Sequence, residues 1–311
     1  MPSDEPHTFG PTKFWEPRDM ALTIKQIGPC FAGEAEGIDL TAPLSEGDVA
    51  AIHAGMNEHA VLVFRDQILD NDQHLALSRS LGEIEPAFDT SLRTPEEIRL
   101  STNFADVSNL DKENQPFSRE DRRRLFSMGN RLWHSDSSFK TVPAKYSLLY
   151  AHKIPSKGGN TEFADMRAAY DALDDEMKEQ IEGLVCEHSQ VYSRAKVGFH
   201  EFSDAERERF KPVRQVLVRT HPETGRKSLY LSSHAGSILG WPIPEANVFL
   251  LDLFEHATQR QFVFVQKWRV HDLVIWDNRR TMHRARPFPA EERRDMRRTT
   301  LVGEGPTVQA I

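Results

Sequence analysis

The segment LWHSDSSF, residues 132–139, opens the part of the chain that decides the fold. From this segment onward, short apolar and β-branched runs recur with turn residues between them, a pattern typical of a β-sandwich or small barrel. Segments with helical spacing interrupt these runs at 166–173, 176–184 and 244–258. The predicted strands cover residues 146–152, 161–164, 215–220, 228–232, 262–268, 272–276 and 298–302. We therefore predict an all-β core with flanking helices.

Two helices are predicted before this region. Ser45 and Asp48 form a capping-box pattern, in which each side chain satisfies a backbone N–H of the first helical turn. Asp70 is placed to cap a second helix over about residues 71–81. Both helices are therefore expected to begin at a well-defined residue.

The domain organisation is predicted to be simple. Residues 1–20 lack any hydrophobic period and are interpreted as a loose N-terminal arm. No repeat or linker divides residues 21–311, which we predict to form a single domain. Residues 86–130 are the least regular part, and a loop this long in a compact domain often covers a functional site. We predict an active-site lid there, with a solvated loop as the alternative.

Composition excludes several classes of protein. The 311 residues include 39 Lys and Arg against 47 Asp and Glu, a formal net charge of −8, which argues against nucleic acid as a partner. No apolar run is long enough for a membrane span, and the first residues do not resemble a signal peptide. The two cysteines, Cys30 and Cys186, are too few for a disulfide framework. These features predict a soluble, cytoplasmic protein that contacts neither nucleic acid nor membrane.

The most informative polar pair is His134 and Asp136. In a strand, residues two apart project from the same face, so the imidazole and the carboxylate would point into one space. His283, which follows an apolar strand, is the best candidate for a third ligand. Two histidines and one carboxylate suit a non-haem Fe(II) site that activates dioxygen, because they leave coordination positions open. The alternatives are ordinary core histidines, or a zinc site with one open position.

Four arginines follow His283 in two adjacent pairs, Arg293–Arg294 and Arg297–Arg298. In an extended run Arg294 and Arg298 would share a face. A planar guanidinium can bind a carboxylate through two parallel hydrogen bonds. Taken alone, the pairs favour a solvated basic turn with Glu291, Glu292 and Asp295 as its ion-pair partners. Taken with the candidate metal ligands, two inward-facing arginines would provide sites for two carboxylates.

Taken together, these segments resemble the taurine dioxygenase and 2,4-dichlorophenoxyacetate (2,4-D) dioxygenase family of Fe(II)/2-oxoglutarate enzymes. The resemblance covers about residues 22–303 and is strongest to the 2,4-D dioxygenase branch. It implies a double-stranded β-helix, the jelly-roll or cupin-like fold. The segments that carry it are LWHSDSSF (132–139), GGNTEFADMRAAYDAL (158–173), EHATQRQFVF (255–264) and WDNRRTMHR (276–284).

The resemblance also implies roles for individual residues. His134, Asp136 and His283 match the ligands of the catalytic iron. Thr161 and Arg294 match the residues that bind the distal carboxylate of 2-oxoglutarate. The implied cofactor is Fe(II), and the implied co-substrates are 2-oxoglutarate and O2.

The implied reaction is hydroxylation of the carbon next to the ether of an aryloxyacetate such as 2,4-D, which gives a phenol, glyoxylate, succinate and CO2. Arg298 is similar to the arginine that faces the substrate's acidic group, and Asn130 matches an asparagine near the substrate. The segment 83–93 lacks the basic residue that the herbicide branch places there. It also lacks the paired histidines of the taurine branch. The identity of the small carboxylate substrate is therefore the weakest part of the match.

Other functions stay open from the sequence. The same chemistry could act on an alkyl sulfonate such as taurine or on an arylalkenoic acid. A zinc hydrolase is a second alternative, although no general-base glutamate is evident beside His134. A cupin-like binding protein without turnover is a third. We also expect a homo-oligomer, with the exposed side of the 244–258 helix as a candidate interface.

Overall fold

The computed structural model describes residues 22–87 and 98–308, so the predicted arm at 1–20 lies outside the described residues. Strands supply most of the regular structure in the second half of the described chain. They are β1 (Thr23–Gln26), β2 (Gly33–Glu36), β3 (Val61–Phe64), β4 (Ala105–Asp106), β5 (Ala144–Lys153), β6 (Thr161–Asp165), β7 (Val185–His188), β8 (Val213–Val216), β9 (Val218–Thr220), β10 (Lys227–Leu229), β11 (Ala235–Ile238), β12 (Val263–Gln266), β13 (Leu273–Asp277), β14 (Thr281–Ala285) and β15 (Asp295–Val302).

Helices flank these strands, as predicted. They are α1 (Glu46–His59), α2 (Asn71–Leu81), α3 (Arg122–Ser127), α4 (Met166–Asp171), α5 (Asp175–Ile181), α6 (Gln190–Ala195), α7 (Asp204–Arg209) and α8 (Ile243–Ala257). The two predicted caps are confirmed, because Ser45 with Asp48 and Asp70 with Gln73 both form capping boxes.

Two sheets form the centre of the fold. The larger has seven strands in the order β1-β2-β3-β13-β5-β15-β4, antiparallel except for the parallel β2–β3 pair. The smaller has the order β12-β6-β14. Further pairings join β11-β7-β8 and β10-β9. The molecule is thus mostly sheet with helices outside.

The inner core lies between the two central sheets. Val274 and Trp276 of β13 face the smaller sheet, and the Trp276 ring centroid lies 5.4 Å from that of Phe163 in β6. Leu273 and Ile275 point the other way, into a separate core beneath α1 and α2. This alternation is the two-residue period of a strand, and it lets one strand serve two hydrophobic layers. The strand is therefore fixed in register from both sides.

The helices bury their apolar faces on the outside of this sandwich. Ile52 and Met56 of α1 pack on the larger sheet. Leu250 and Leu253 of α8 pack on the opposite side, against Met282 of β14 and its neighbours. Burying one such side chain contributes about 1.5–3 kcal/mol relative to leaving it exposed. Helix α8 therefore supports β14 from the outer side of the smaller sheet, and α1 supports the larger sheet.

The irregular segment 86–130 is described at 86–87 and from 98 onward, and its later part pairs with β15. Strand β4 pairs with β15, and Arg99 joins the two through Asp106 (2.8 Å) and Asp295 (2.7 Å). Helix α3 and the 3-10 helix Met128–Arg131 complete the segment. This part of the chain forms one wall of the cavity described below.

None of the helices in the described ranges is both long and apolar enough to cross a bilayer.

Candidate metal centre and adjoining cavity

His134, Asp136 and His283 come together at one end of the sandwich. Each offers one ligand atom, and these atoms all lie within 4.8 Å of one another. The His134 Nε2 atom is 3.9 Å from Asp136 Oδ1, and the His283 Nε2 atom is 3.7 Å from Asp136 Oδ2. All three residues are buried. The three residues singled out in the sequence are therefore neighbours in space.

The two histidines are joined through their backbones. The N–H of His134 donates to the carbonyl of His283 (3.0 Å), and the N–H of His283 donates back (2.8 Å). This isolated antiparallel bridge is formed along one edge of β14, and the pairing with β6 is formed along the other. It holds the two imidazole centroids 4.2 Å apart.

The predicted strand through His134 and Asp136 is wrong. Only His134 makes a bridge, and the chain enters a turn at Asp136, with Ser137 at φ 54°. The turn is held by Asn278, whose side-chain oxygen accepts from the Asp136 N–H (3.1 Å) and whose carbonyl accepts from Ser135 Oγ (2.6 Å). The side chains of His134 and Asp136 therefore come together because of this turn, and not because of the alternation of side chains along a strand.

The Asp136 carboxylate is oriented from both sides. Ser147 Oγ donates to Oδ2 (2.8 Å), and Arg298 Nη1 donates to Oδ1 (2.5 Å). Asn278 in turn donates to Ser147 Oγ (2.9 Å). Burial alone would raise the pKa of Asp136, but Arg298 and the two histidines outweigh it and lower the pKa to about 2. The carboxylate is thus ionised at neutral pH.

The histidines are neutral and suited to bind a metal. Burial lowers the pKa of both His134 and His283 below the ordinary value of 6.5. His134 Nδ1 lies 2.8 Å from the Leu132 carbonyl, which can only accept, so the proton is on Nδ1 and the Nε2 lone pair is free. Two neutral imidazoles and one ionised carboxylate fit a divalent metal such as Fe(II), which binds deprotonated ligands.

Thr161 and Arg294 lie near each other at the beginning of β6. Thr161 in β6 pairs with Ala285, and its hydroxyl accepts a hydrogen bond from Trp268 Nε1 (3.0 Å). A Cβ added to Gly159, two residues before Thr161, would come within 3.7 Å of Arg294 Nε. The two predicted carboxylate binders are therefore close in space.

Arg294 is a buried cation with little compensation. Its side chain donates to the Val107 carbonyl (2.8 Å), and among the described residues it forms no ion pair. Burial lowers its pKa to about 10, so it is still charged at neutral pH. A buried guanidinium with free N–H donors is a receptor for an anion.

The other three arginines of the C-terminal pairs differ from one another. Arg293 donates to Gln115, and Arg297 pairs with Asp295, as the solvated-turn alternative expects. Arg298 instead reaches into the site and contacts Asp136. The proposed partner Glu292 accepts hydrogen bonds from Ser156. Arg293 and Arg297 therefore behave as the solvated turn predicts. Arg294 and Arg298 face inward, as carboxylate recognition requires.

A cavity opens beside the candidate metal centre. His134, Asp136, Arg298 and Asn130 all line it. Three aromatic rings contribute apolar surface, from Phe117, Phe126 and Phe139. Asn130 also lines a second cavity that contains Arg294, so it separates the Arg294 region from the main cavity.

Several charged residues of the cavity wall were missed in the sequence, Glu85 and Arg194 among them. Glu85 accepts from Ser137 Oγ (2.5 Å) and pairs with Lys140 Nζ (3.1 Å). Arg194 in α6 is almost fully buried and lines the same cavity. No motif marks either residue. The one signal for Arg194 is that its helix offers no acidic residue three or four positions away.

Comparison with known proteins supports a common origin over the whole sandwich. Residues 23–300 match the family described as "Taurine catabolism dioxygenase TauD, TfdA family". The alpha-ketoglutarate-dependent 2,4-dichlorophenoxyacetate dioxygenase of Cupriavidus pinatubonensis is 41% identical over 285 residues, covering 92% of this chain and 99% of that protein. The (S)-phenoxypropionate/alpha-ketoglutarate-dioxygenase of Sphingobium herbicidovorans is 34% identical, covering 94% of this chain and 98% of that protein.

The solved structures agree. The crystal structure of AAD-2 in complex with Mn(II) and N-oxalylglycine is 51% identical in sequence and superposes with a TM-score of 0.87, covering 94% of this chain and 100% of that chain. With His134, Asp136 and His283 gathered at one point, the sequence and the fold lead to one assignment. This chain belongs to the TauD/TfdA family of dioxygenases.

Proposed function

We propose that this protein is an Fe(II)/2-oxoglutarate-dependent dioxygenase that hydroxylates the carbon next to the ether oxygen of an aryloxyacetate such as 2,4-D. The proposal rests on one observation above all, the cluster of two neutral histidines and one ionised carboxylate beside a cavity with aromatic walls. The enzyme class is that of its relatives, the alpha-ketoglutarate-dependent oxidoreductases.

The proposed metal ligands are His134, Asp136 and His283. When bound, Fe(II) with 2-oxoglutarate and O2 supplies the oxidising equivalents for hydroxylation and releases succinate and CO2. The protein's task is to hold these ligands and to exclude other chemistry. Asn278 and Ser147 fix the Asp136 carboxylate, and the Leu132 carbonyl fixes the tautomer of His134. Such supporting contacts orient ligands and tune their basicity.

The proposed 2-oxoglutarate binders are Thr161 and Arg294. The buried Arg294 guanidinium offers free donors, and the adjacent Thr161 hydroxyl offers one more polar contact. Thr161 lies in β6, and Arg294 lines the second cavity rather than the main one. This placement would keep the co-substrate's distal carboxylate apart from the aryl ring of the substrate.

The proposed substrate contacts are Arg298 and Asn130, which line the main cavity with His134 and Asp136. A carboxylate held there would place the adjacent ether-bearing CH2 close to the metal ligands. Hydroxylation of that carbon gives a hemiacetal, which collapses to a phenol and glyoxylate. Selectivity of this kind depends on positioning to within about 1 Å.

We also propose that the two packed sheets form a double-stranded β-helix within a single domain spanning 21–311, with 86–130 as its lid. The pairing of β4 with β15 and the wall residues of the described part, such as Phe117 and Phe126, support a covering role. Limited proteolysis with and without N-oxalylglycine tests the lid. Protection of 86–130 by the ligand supports it, and identical cleavage contradicts it.

We also propose a cellular location and an oligomeric state. Both Cys30 and Cys186 are free thiols, which agrees with a reducing, cytoplasmic environment. The exposed side of α8 carries Ile243, Val248 and Leu251, more than half exposed, and we propose it as a self-association face. Light scattering of the wild type and of Leu251→Glu tests this, since a true interface would be weakened by the charge.

The decisive experiment is anaerobic reconstitution with Fe(II) and 2-oxoglutarate, followed by O2 and 2,4-D. Equal amounts of succinate and 2,4-dichlorophenol are expected. Succinate without phenol would retain the dioxygenase and remove this substrate. An Asp136→Asn variant is the matched control, because it keeps the shape of the side chain and loses the ionised ligand.

The alternatives are tested in the same assay. Sulfite release from taurine would favour the sulfonate substrate, which the relatives support less well than aryloxy acids. Hydrolysis by a zinc-loaded sample under strict anaerobiosis would favour the hydrolase. Glu85, the carboxylate that a hydrolase would need, is already engaged by Lys140 and Ser137.

A further inference from the structure

The main cavity is lined by three arginines that differ in how their charge is balanced. Arg123 is paired with Asp121, through Nη2–Oδ2 (2.7 Å) and Nε–Oδ1 (3.0 Å). Arg298 is paired with Asp136 (2.5 Å). Arg194 has no ion pair with any carboxylate among the described residues. It is also the most buried of the three, with 4% of its surface exposed.

Carboxylates do line this cavity, but each is engaged by another cation. Asp136 is held by Arg298, Glu85 by Lys140, and Asp106 by Arg99. The protein therefore balances every acidic group of the cavity wall without using Arg194.

Hydrogen bonds and ring contacts hold the Arg194 side chain, and no counter-ion is found for it in residues 22–87 and 98–308. Its Nη1 donates to Ser193 Oγ (3.0 Å), and its Nη2 lies 3.3 Å from Asn130 Oδ1. Its Cζ lies 4.2 Å from the centroid of the Phe126 ring, and a Cβ added to Gly129 would come within 2.7 Å of it. A guanidinium has five N–H donors, and the protein supplies acceptors for two of them. Nε is buried with no partner in the described part of the chain.

The surroundings of Arg194 do not offset its charge in another way. The neighbouring His234 contacts Ser193 Oγ through Nδ1 (2.9 Å) and brings no negative charge. Gln190, one helical turn before Arg194, has a buried side-chain oxygen without a hydrogen-bond partner in the described structure. A buried charge without a partner costs several kcal/mol, and a bound anion removes that cost. The cavity is thus prepared for a ligand that brings a negative charge.

We infer that Arg194 is the main receptor for the carboxylate of the aryloxy acid and determines the enzyme's preference for an anionic substrate. This inference rests on the proposed function and adds a contact to it. The stacked, planar guanidinium suits a carboxylate through parallel hydrogen bonds. Phe117, Phe126 and Phe139 provide the surface for the aryl ring.

The inference is tested by the variant Arg194→Gln in steady-state assays with 2,4-D as substrate and 2,4-dichlorophenoxyacetamide as a neutral competitive inhibitor. Loss of a charged hydrogen-bond pair is expected to raise the KM for 2,4-D by about 10- to 100-fold. The inhibition constant of the amide and the KM for 2-oxoglutarate should change little. Arg194→Lys should recover part of the preference for the acid, because it restores the charge without the planar fork.

Two further variants keep the test decisive. Gly129→Ala retains every charge but places a Cβ 2.7 Å from Arg194 Cζ, so it should weaken acid binding in the same direction. Arg123→Gln removes a cavity arginine whose charge Asp121 already balances, so it should affect the acid and the amide equally.

The outcomes separate the inference from the proposed function. If the wild type makes no phenol from 2,4-D, the proposed function fails before Arg194 is tested. If the wild type does make phenol and Arg194→Gln leaves the KM for 2,4-D unchanged, the inference is wrong. It is equally wrong if the variant weakens the acid and the amide by the same factor, since that pattern indicates a structural role.

Discussion

Buried arginines occupy two regions of this protein, and the regions treat them differently. Near the end of β13, Arg279 and Arg280 both bind Asp277, at 2.8 Å in each case. Arg194 in the main cavity and Arg294 in the second cavity have no ion-pair partner among the described residues. All four are at most 5% exposed, so solvent does not explain the difference.

The comparison shows how to tell a structural arginine from a binding one. Both kinds are buried and well ordered by hydrogen bonds. In the structural region, burial alone would raise the pKa of Asp277, but Arg280 and Arg279 hold it well below its usual range. In the other region, burial alone acts on the pKa of Arg194 and Arg294, and it lowers both to about 10. A buried arginine whose charge is balanced by a carboxylate of the chain stabilises the fold. A buried arginine without such a partner is a candidate for binding an anionic ligand.

The largest effect is expected where that balance is broken. Asp277→Asn leaves Arg280 without a carboxylate partner and leaves Arg279 with Glu304 alone, so it should lower the free energy of unfolding by about 3–5 kcal/mol. Urea denaturation followed by circular dichroism measures this. A loss below the error of the extrapolation would show that the Asp277 cluster is not balanced in the way described.

The complementary change removes an unbalanced charge. Arg294→Met should leave the free energy of unfolding unchanged or raise it, because it relieves an unpaired buried cation. The KM for 2-oxoglutarate should rise by about 10- to 100-fold, since charged hydrogen bonds are worth about 1.5–3 kcal/mol. A thermal-shift titration with N-oxalylglycine gives an independent reading. A marked loss of stability without a change in KM would reverse the distinction between the two regions.

Arg298 is intermediate, because it lines the cavity and yet pairs with Asp136. Arg298→Ala should raise the KM for 2,4-D by about 10-fold, as expected for one charged contact. The KM for 2-oxoglutarate should change far less. Equal effects on both would show that Arg298 acts through Asp136 and not on the substrate.

The smallest effect at neutral pH is expected for His188, a fully buried neutral base in β7. Burial lowers its pKa from 6.5 to about 3. Between these two pH values the unfolded chain binds a proton that the native protein does not, so stability is lost as the pH falls. His188→Phe should lower the midpoint of acid unfolding, measured by circular dichroism. Replacing the exposed His200 by Gln should leave the midpoint in place.

Local features of the fold were predictable because their causes lie within a few residues. The capping boxes of Ser45 and Asp70 fix the starts of α1 and α2, and both are read directly from spacing. The predicted strand over 215–220 is in fact two strands, β8 and β9, which belong to different sheets. The break between them depends on the neighbouring strands, which spacing does not specify.

The candidate site was predictable only in part. His134, Asp136 and His283 stand out as a ligand set, and the resemblance to a known family adds Thr161 and Arg294. Arg194 could not be found in this way. Its importance comes from the approach of α6 to the 3-10 helix Met128–Arg131, which places Gly129 and Asn130 around its guanidinium. The absence of a counter-ion is a property of the assembled structure.

The backbone bridge between His134 and His283 has a consequence for how the enzyme is made. The two histidines lie almost half the chain's length apart, and each completes the other's hydrogen bonding. During synthesis, the first histidine and Asp136 leave the ribosome long before the third ligand exists. A partly made chain therefore lacks a complete ligand set for iron. The set of three candidate ligands is complete only when β14 has paired with β6 and with the backbone of His134.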